Sequence, residues 1–238
     1  KLGCSVFLII LFISIFAAAV SAIEVPADSP GLVALWHFDQ NIFDGNIQGY
    51  SSNDINARCM DANCPAFSSS GKYGGAYQFN GRNNYFFVPN QFAINPRHEM
   101  SISLWVNADD WNKSIGIIQK GNQDNQYRLV AEDELLKFNL KGVLGGTVTG
   151  PLPPKGLWQH IAATFDGETV KLYANGMLVS QVAAKGWISV TPNPLYIGTK
   201  NTASHPWEYF KGKIDDVALW DRALTNEEVL SLAEPPPK

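Results

Sequence analysis

The sequence predicts an all-β, antiparallel fold closed by one short C-terminal helix. Three observations carry this expectation. Between Trp158 and Gly176 the chain reads W-Q-H-I-A-A-T-F-D-G-E-T-V-K-L-Y-A-N-G, placing Ile161, Ala163 and Phe165 on one face of an extended segment and His160, Ala162 and Thr164 on the other. After a turn at Asp166-Gly167, Val170, Leu172 and Ala174 alternate with Lys171, Tyr173 and Asn175; such period-two patterning marks strands with two different faces. Asn175-Gly176 suits a two-residue type I′ hairpin, because both turn residues need positive φ and these two tolerate it. Met177 to Val182 then makes the third strand of a meander expected at the centre of a sheet. Abundant Gly, Pro, Asn and aromatic residues fit an all-β protein with many turns. Once a leading apolar segment is set aside, roughly 215 residues remain, a length that suits one large β sandwich.

That leading segment opens with Lys1 and carries an uncharged run from Ser5 to Val20, ending in Val20-Ser21-Ala22. A basic start, a mid-length apolar stretch and a small-residue exit suggest a cleaved secretory signal over residues 1–22, with 23–30 as a linker. A membrane anchor is the alternative, although about 18 to 20 apolar residues are needed to span a bilayer and this run is a little short. The missing initiator Met and the proline-rich tail at 234–238 suggest a module cut from a longer protein. The net charge of −4 and the lack of any basic run argue against a nucleic-acid partner. Membrane contact would come only through an uncleaved N-terminal segment.

Cys4 belongs to the signal, which leaves Cys59 and Cys64. In an oxidising compartment a near pair of this kind is most simply a disulfide. Half of a metal site is the alternative, but no second Cys pair or suitably spaced His accompanies it.

The remaining elements follow in order. Leu32 to Phe38 reads as a first strand ending in Asp39, and residues 44–71 as a long polar loop. Tyr73 to Phe79 and Tyr85 to Val88 are strands joined by the Asn80–Asn84 turn. In Ser101 to Val106, Ile102, Leu104 and Val106 share a core face, whereas Trp105 is out of phase and must lie under a loop or on the second face of its sheet. Asn107 to Trp111 reads as a turn, followed by the sequon Asn112-Lys113-Ser114. Ile115 to Lys120, Tyr127 to Ala131 and Leu135 to Leu140 are further strands. Residues 150–156, with three prolines, form a connector. Residues 187–194 form another loop, and Leu195 to Gly198 and Ile214 to Trp220 finish the sheets. The helix is Thr225 to Ala233: Thr225 and Glu228 make a capping box, Leu224 and Val229 a hydrophobic staple, and Pro235 ends it.

W-Q-H-I-A-A-T-F-D-G followed by L-Y-A-N-G resembles the core hairpin of laminin G-like jelly rolls, within the concanavalin A-like lectin and glucanase superfamily. F-N-G at Phe79 to Gly81, S-I-S-L-W-V at Ser101 to Val106, L-Y-I-G at Leu195 to Gly198 and G-K-I-D-D-V-A-L-W-D-R-A-L at Gly212 to Leu224 support it in order and spacing. The resemblance covers residues 31–233 and implies a two-sheet antiparallel jelly-roll sandwich with a variable loop at 44–71, which the cysteine pair would staple. It implies no single function, since this fold hosts lectins, hydrolases and adhesion modules.

The residues themselves must therefore decide. A glucanase of this superfamily would carry an E-x-D-x-E strand; the nearest match, Glu132-Asp133-Glu134, has the wrong spacing and looks like a solvated turn. His37, His98, His160 and His205 fall in no H-x-x-x-H pattern and near no G-x-S-x-G elbow, so the chain reads as non-catalytic. Sugar binding needs planar aromatics with amides and carboxylates beside them. Trp111, Trp187, Trp207 and Tyr209 lie in expected loops, and Arg82, Asn83, Asn84 and Tyr85 form a polar-aromatic cluster. Each of these could instead cap the core. Asp215 and Asp216 occupy successive strand positions, so one carboxylate must face inward, where it needs compensation. Related folds often place one structural calcium here, with Asp39 and Gly81 as further oxygen donors; the alternative is a pair of ordinary edge-strand charges that discourage aggregation. The reading is thus a secreted or cell-surface binding module recognising carbohydrate or glycosylated surfaces. The alternative is a protein-binding adhesion or scaffold module, and a polysaccharide hydrolase or lyase is less favoured.

Overall fold

The computed structural model describes residues 25, 27–42, 44–111, 114–122, 125–200 and 208–234. The expected signal segment, Trp207, the first two sequon residues and the last four residues of the proline-rich tail lie outside them. In chain order the strands are β1 Leu32–Trp36, β2 Asn46–Ile47, β3 Ala57–Arg58, β4 Ala66–Ser68, β5 Ala76–Asn80, β6 Phe86–Val88, β7 Met100–Asp110, β8 Ser114–Lys120 and β9 Tyr127–Glu132. They continue as β10 Leu135–Leu140, β11 Val143–Leu144, β12 Thr147–Pro151, β13 Gln159–Phe165, β14 Thr169–Ala174, β15 Met177–Ala183, β16 Lys185–Gly186, β17 Leu195–Ile197 and β18 Lys211–Trp220. Helix α1, Asn226–Ala233, follows.

Two sheets pack face to face. One runs β15-β14-β13-β7-β18-β5-β4, with β1 also on β18; the other runs β12-β10-β9-β8-β17-β6-β3-β2. Their strand pairs are antiparallel, giving the expected two-sheet jelly-roll sandwich. Between the sheets, Ile102, Leu104, Val106, Ile161 and Phe165 meet Phe86, Ile118, Leu129 and Phe138.

The meander forms as its pattern dictates. Ala174 pairs with Met177, and Asn175 and Gly176 turn between them at φ of 50° and 78°. It is not at the sheet centre, however: β15 is the outer edge, and β7 and β18 hold the middle. Local hairpins fix which strands adjoin, but the centre is taken by the longest pairing, β7 along the length of β18. The second face of β13 is buried as well, because α1 and the residue before its cap lay Val229 and Leu224 over Leu32, Leu35, Ala162, Tyr173, Ala218 and Trp220.

Three loop expectations change. Residues 44–71 contain β2, β3 and β4, and Ile47, Ile55 and Ala57 there reach the core. The turn expected at Asn107 to Trp111 is instead the end of β7, because Lys211, Gly212 and Lys213 pair with Asp110, Ala108 and Asn107. The proline-containing connector begins as the edge strand β12, and an edge position tolerates Pro151. Cys59 and Cys64 are bonded, with Cα atoms 5.0 Å apart. A loop this short removes little chain entropy, so the bond fixes local shape more than global stability.

At α1 the Thr225 side chain accepts from the Glu228 N–H at 3.2 Å, and the Glu228 carboxylate accepts from the Thr225 N–H at 2.8 Å. Arg222 adds a bidentate bond to Glu228, at 2.6 and 2.8 Å, tying the helix start to the end of β18. Thr225→Ala is expected to cost about 1 kcal/mol, seen as a lower midpoint in urea unfolding. An unchanged midpoint would mean that the capping box carries no stability.

Candidate ligand-binding groove

At one end of the sandwich the segments that precede β7 and β17 face each other across an open groove. Its larger part has a volume of about 840 Å³, with Asn90, Phe92, Asn95, Arg97, Thr191 and Asp221 in its lining. A smaller recess of about 280 Å³ continues it, bounded by Asp166, Gly167, Lys185 and Trp187. His98 and Glu99 line both.

Trp187 is held at this rim and left open. Its neighbour Ile188 is buried and donates its N–H to the Arg97 carbonyl at 2.8 Å. On its other side Lys185 and Gly186 pair with Leu144 and Val143. Anchored by Ile188 in the core, the indole turns outward and remains 61 % exposed. The His98 ring meets it edge-on at 5.1 Å, and the Arg97 guanidinium lies 5.5 Å from its centroid, a cation–π distance. Phe92, almost fully exposed, stands in the other wall.

Beneath the groove lies Lys120, fully buried on β8. Its ammonium donates to Asn90 Oδ1 at 2.8 Å, the Thr191 carbonyl at 3.0 Å and the Asn193 carbonyl at 2.5 Å. Burial pulls its pKa down to about 8. One cation therefore bridges the two walls, and Asn90 Oδ1 also accepts from Asn95.

The other sequence candidates have different places. Trp111 caps the core, with its indole N–H on the Pro153 carbonyl at 2.7 Å and its ring 5.9 Å from Phe210. Asn84 is buried, with its amide spent on the Asn80 N–H and the Cys64 carbonyl. Tyr209 packs 6.4 Å from Tyr85 on the outer face of the second sheet, and Arg82 is exposed in the adjoining turn. Trp187 is thus the predicted aromatic that opens on the groove. Phe92, His98 and Lys120 were missed; a lysine in core phase after Ile118 was the available signal for Lys120.

Asp215 and Asp216 form a bulge in β18. Asp216 has φ of 46°, and the register jumps between Asp215 and Ala218. Asp215 is fully buried. Its Oδ2 accepts from the N–H groups of Lys72 at 2.8 Å and Tyr73 at 3.3 Å, and its Oδ1 from that of Asp216 at 2.9 Å. Asp39 Oδ1 accepts from the Gly75 N–H at 2.6 Å. Gly81 lies beyond Asn80, which pairs with Lys211, roughly 13 Å along the strand from Asp215 at the ordinary rise. Backbone amides supply part of the compensation that motivated a calcium ion, and Asp39 lies near enough to add to the charge felt by Asp215, whereas Gly81 sits at the far end of this strand pairing. Among the described residues no group of three or more His, Cys, Asp or Glu side chains gathers to hold a metal.

Comparison with known proteins agrees with this architecture. The family model for laminin G-like domains described as "Concanavalin A-like lectin/glucanases superfamily" matches residues 79–230. The chain belongs to that superfamily. Among curated relatives, mouse pappalysin-1 is 26% identical over 191 residues, covering 66% of this chain and 11% of its own length. The rat sushi, von Willebrand factor type A, EGF and pentraxin domain-containing protein 1 is 27% identical over 153 residues, covering 59% and 4%. The chain therefore spans only a small part of these relatives. Among solved structures, domain 4 of AbnA, an extracellular arabinanase from Geobacillus stearothermophilus in complex with arabinotriose, superposes with a TM-score of 0.66 at 21% identity, covering 85% of this chain and 98% of its own. The binding domain of Paraclostridial Mosquitocidal Protein 1 gives 0.65 at 16%, covering 85% and 52%. At these identities the structural likeness is one of superfamily fold.

Two predictions follow from the buried charges. Burial first, and then Asp216, raise Asp215 to about 8 against the pull of its amide bonds. The folded state then holds a proton that the unfolded state releases, so stability falls as pH rises from about 4 to about 8. His160, depressed to about 3 by burial and then by Lys72, works the other way below its ordinary value, which leaves the Asp215 effect unopposed by it above about pH 6.5. Lys120 makes stability rise between about 8 and its ordinary 10.5. Urea midpoints should thus pass through a minimum near pH 8, and Asp215→Asn should flatten the falling limb; a monotonic profile would contradict the Asp215 assignment. Melting in excess calcium and then in chelator tests the calcium expectation: a higher midpoint with calcium would place a cation by Asp215, and equal midpoints would leave the backbone amides as its compensation.

Proposed function

We propose that the chain is an exported, non-catalytic binding module that holds glycans in the groove beside Trp187. The carrying observation is the indole left 61 % exposed over a recess whose rim supplies His98, Glu99, Asp166 and Lys185. An exposed ring stacks on the apolar face of a pyranose or furanose, and adjacent carboxylates and cations bond its hydroxyls. The larger cavity beyond His98 and Glu99 gives room for further sugar units, with Asn90 and Thr191 held in place by Lys120. The superfamily fold and the arabinotriose complex of the arabinanase domain support a carbohydrate partner. Export is supported by the bonded cysteine pair.

A glycan array with the purified module tests this reading. Glycans should bind to the parent and lose about tenfold or more in affinity with Trp187→Ala, the scale of a central aromatic contact, while the melting midpoint is unchanged. If Trp187→Ala binds as the parent does, or if the array is silent, the groove is not a glycan site.

A further inference from the structure

The large apolar side chains left in water are not spread evenly over the sandwich. Among the described residues the two most exposed are Phe92, at 96 %, and Leu144, at 81 %. Both stand at the groove end, with Trp187 and Val190, each more than half exposed. Phe92 and Val190 line the larger cavity, while Leu144 pairs with Lys185 beside the smaller recess. Single exposed apolar residues are ordinary on a protein surface, but a gathering of them marks a contact site. A sugar in the groove would use Trp187 and has no need of Leu144, which lies outside the lining.

These side chains are held outward, and each has a buried neighbour that anchors it. Phe92 opens a single 3₁₀ turn that ends in buried Ile94. That turn is closed by the Asn95 N–H on the Phe92 carbonyl at 3.0 Å and by the Asn95 side-chain amide on the Gln91 carbonyl at 2.6 Å. Leu144 follows buried Val143, Trp187 precedes buried Ile188, and Val190 precedes buried Thr191, whose carbonyl Lys120 holds. Apolar tips fixed in this way lose little freedom when they enter a new environment. Cations accompany them: Arg97 lies 5.5 Å from the Trp187 ring, and exposed Lys185 is the strand partner of Leu144.

We propose that this rim is a membrane-docking surface, whose tips enter the interfacial layer of a phospholipid bilayer. In the sequence only the leading apolar segment suggested membrane contact; the rim offers a second, reversible one, independent of what the groove holds. A bilayer fits better than a protein partner because the tips stand apart on either side of an open groove. A protein would have to supply a separate pocket for each, whereas lipid fills around them. Trp favours the headgroup layer, and Phe and Leu are buried just beneath it by proteins that lie in the interface. Arg97 and Lys185 stand beside the tips to meet phosphate oxygens. Glu99, Asp166 and Asp221, at the same end, oppose an anionic surface, so apolar insertion leads and charge adds little.

Vesicles of phosphatidylcholine, alone or with phosphatidylserine as about a fifth of the lipid, test this with the intact protein. Because the leading segment can also bind lipid, the rim is read through variants and through Trp187 itself. Co-sedimentation should show binding to both vesicles, with less than about a threefold gain from phosphatidylserine and little loss at about 0.5 M sodium chloride, where exposed charges are screened. Phe92→Ser combined with Leu144→Ser should weaken binding about tenfold or more, the scale of two apolar side chains returned to water, with an unchanged melting midpoint. Brominated phosphatidylcholine should quench the parent's fluorescence, and Trp187→Phe should keep binding but lose most of that quenching. A double variant that binds vesicles as the parent does, or quenching unaltered in Trp187→Phe, would overturn the proposal. Binding abolished by salt would replace insertion with a purely ionic contact and overturn it as well. Leu144→Ser alone should bind glycans as the parent does. Vesicle binding that survives a silent glycan array, or fails while glycans bind, then separates the fate of this rim from that of the groove.

Discussion

The constraint on which the rest of the fold depends is the sharing of β18. One edge of this strand takes β7; the other takes β5 along Lys211 to Ile214 and then β1 along Val217 to Trp220. Two strands cannot occupy one edge without a break between them, and the Asp215–Asp216 bulge is that break. A bulge leaves an extra residue unpaired and the ladder locally open. Here the buried Asp215 carboxylate closes the gap by accepting from Lys72 and Tyr73, so the loop that enters β5 is fixed where β1 ends. That loop must approach closely: a Cβ on Gly71 would stand 1.8 Å from the Gly75 carbonyl oxygen. Lys72 and Tyr73 then cover Trp105, whose ring lies 4.2 Å from the Lys72 ammonium. The out-of-phase tryptophan is thereby buried under a loop.

A buried cation organises the groove end of the sandwich in a similar way. Lys120 follows Ile118 on β8 and points into the sandwich, where an ammonium without a carboxylate is costly. It persists because three oxygens surround it, and they come from both walls of the groove. Replacing it with an apolar side chain would remove the charge cost but leave two carbonyls and an amide oxygen to find other donors. The groove is therefore held open by a polar tie beneath it, and its shape is a property of the sandwich and not of its loops alone.

Most of the fold was legible because strand alternation and hairpin chemistry are local. The type I′ turn at Asn175-Gly176, the capping box at Thr225 and Glu228 and the core face of Ile102, Leu104 and Val106 need only a few neighbouring residues, and each stands as read. What was not legible is non-local. Nothing near Asn107 announces that β7 continues to Asp110, since its partners there begin at Lys211. The meander looked central because its pattern is the cleanest in the chain, yet centrality depends on which strands are shared. The site behaved in the same way. Five loop-borne candidates and a turn asparagine were equivalent in the sequence, and long-range contacts separate Trp111 on Pro153 and Asn84 on Cys64 from Trp187.

That separation turns on what each aromatic can do with its polar edge. A buried indole gains from a partner for its N–H: Trp36 and Trp111 find backbone carbonyls at 2.8 and 2.7 Å, whereas buried Trp220 has none among the described residues. Trp187 has no such bond among the described residues and keeps water on its ring, while Ile188 supplies the anchoring that its own side chain would otherwise give. The groove can therefore present an indole whose burial is deferred until a ligand arrives, at no cost to the core.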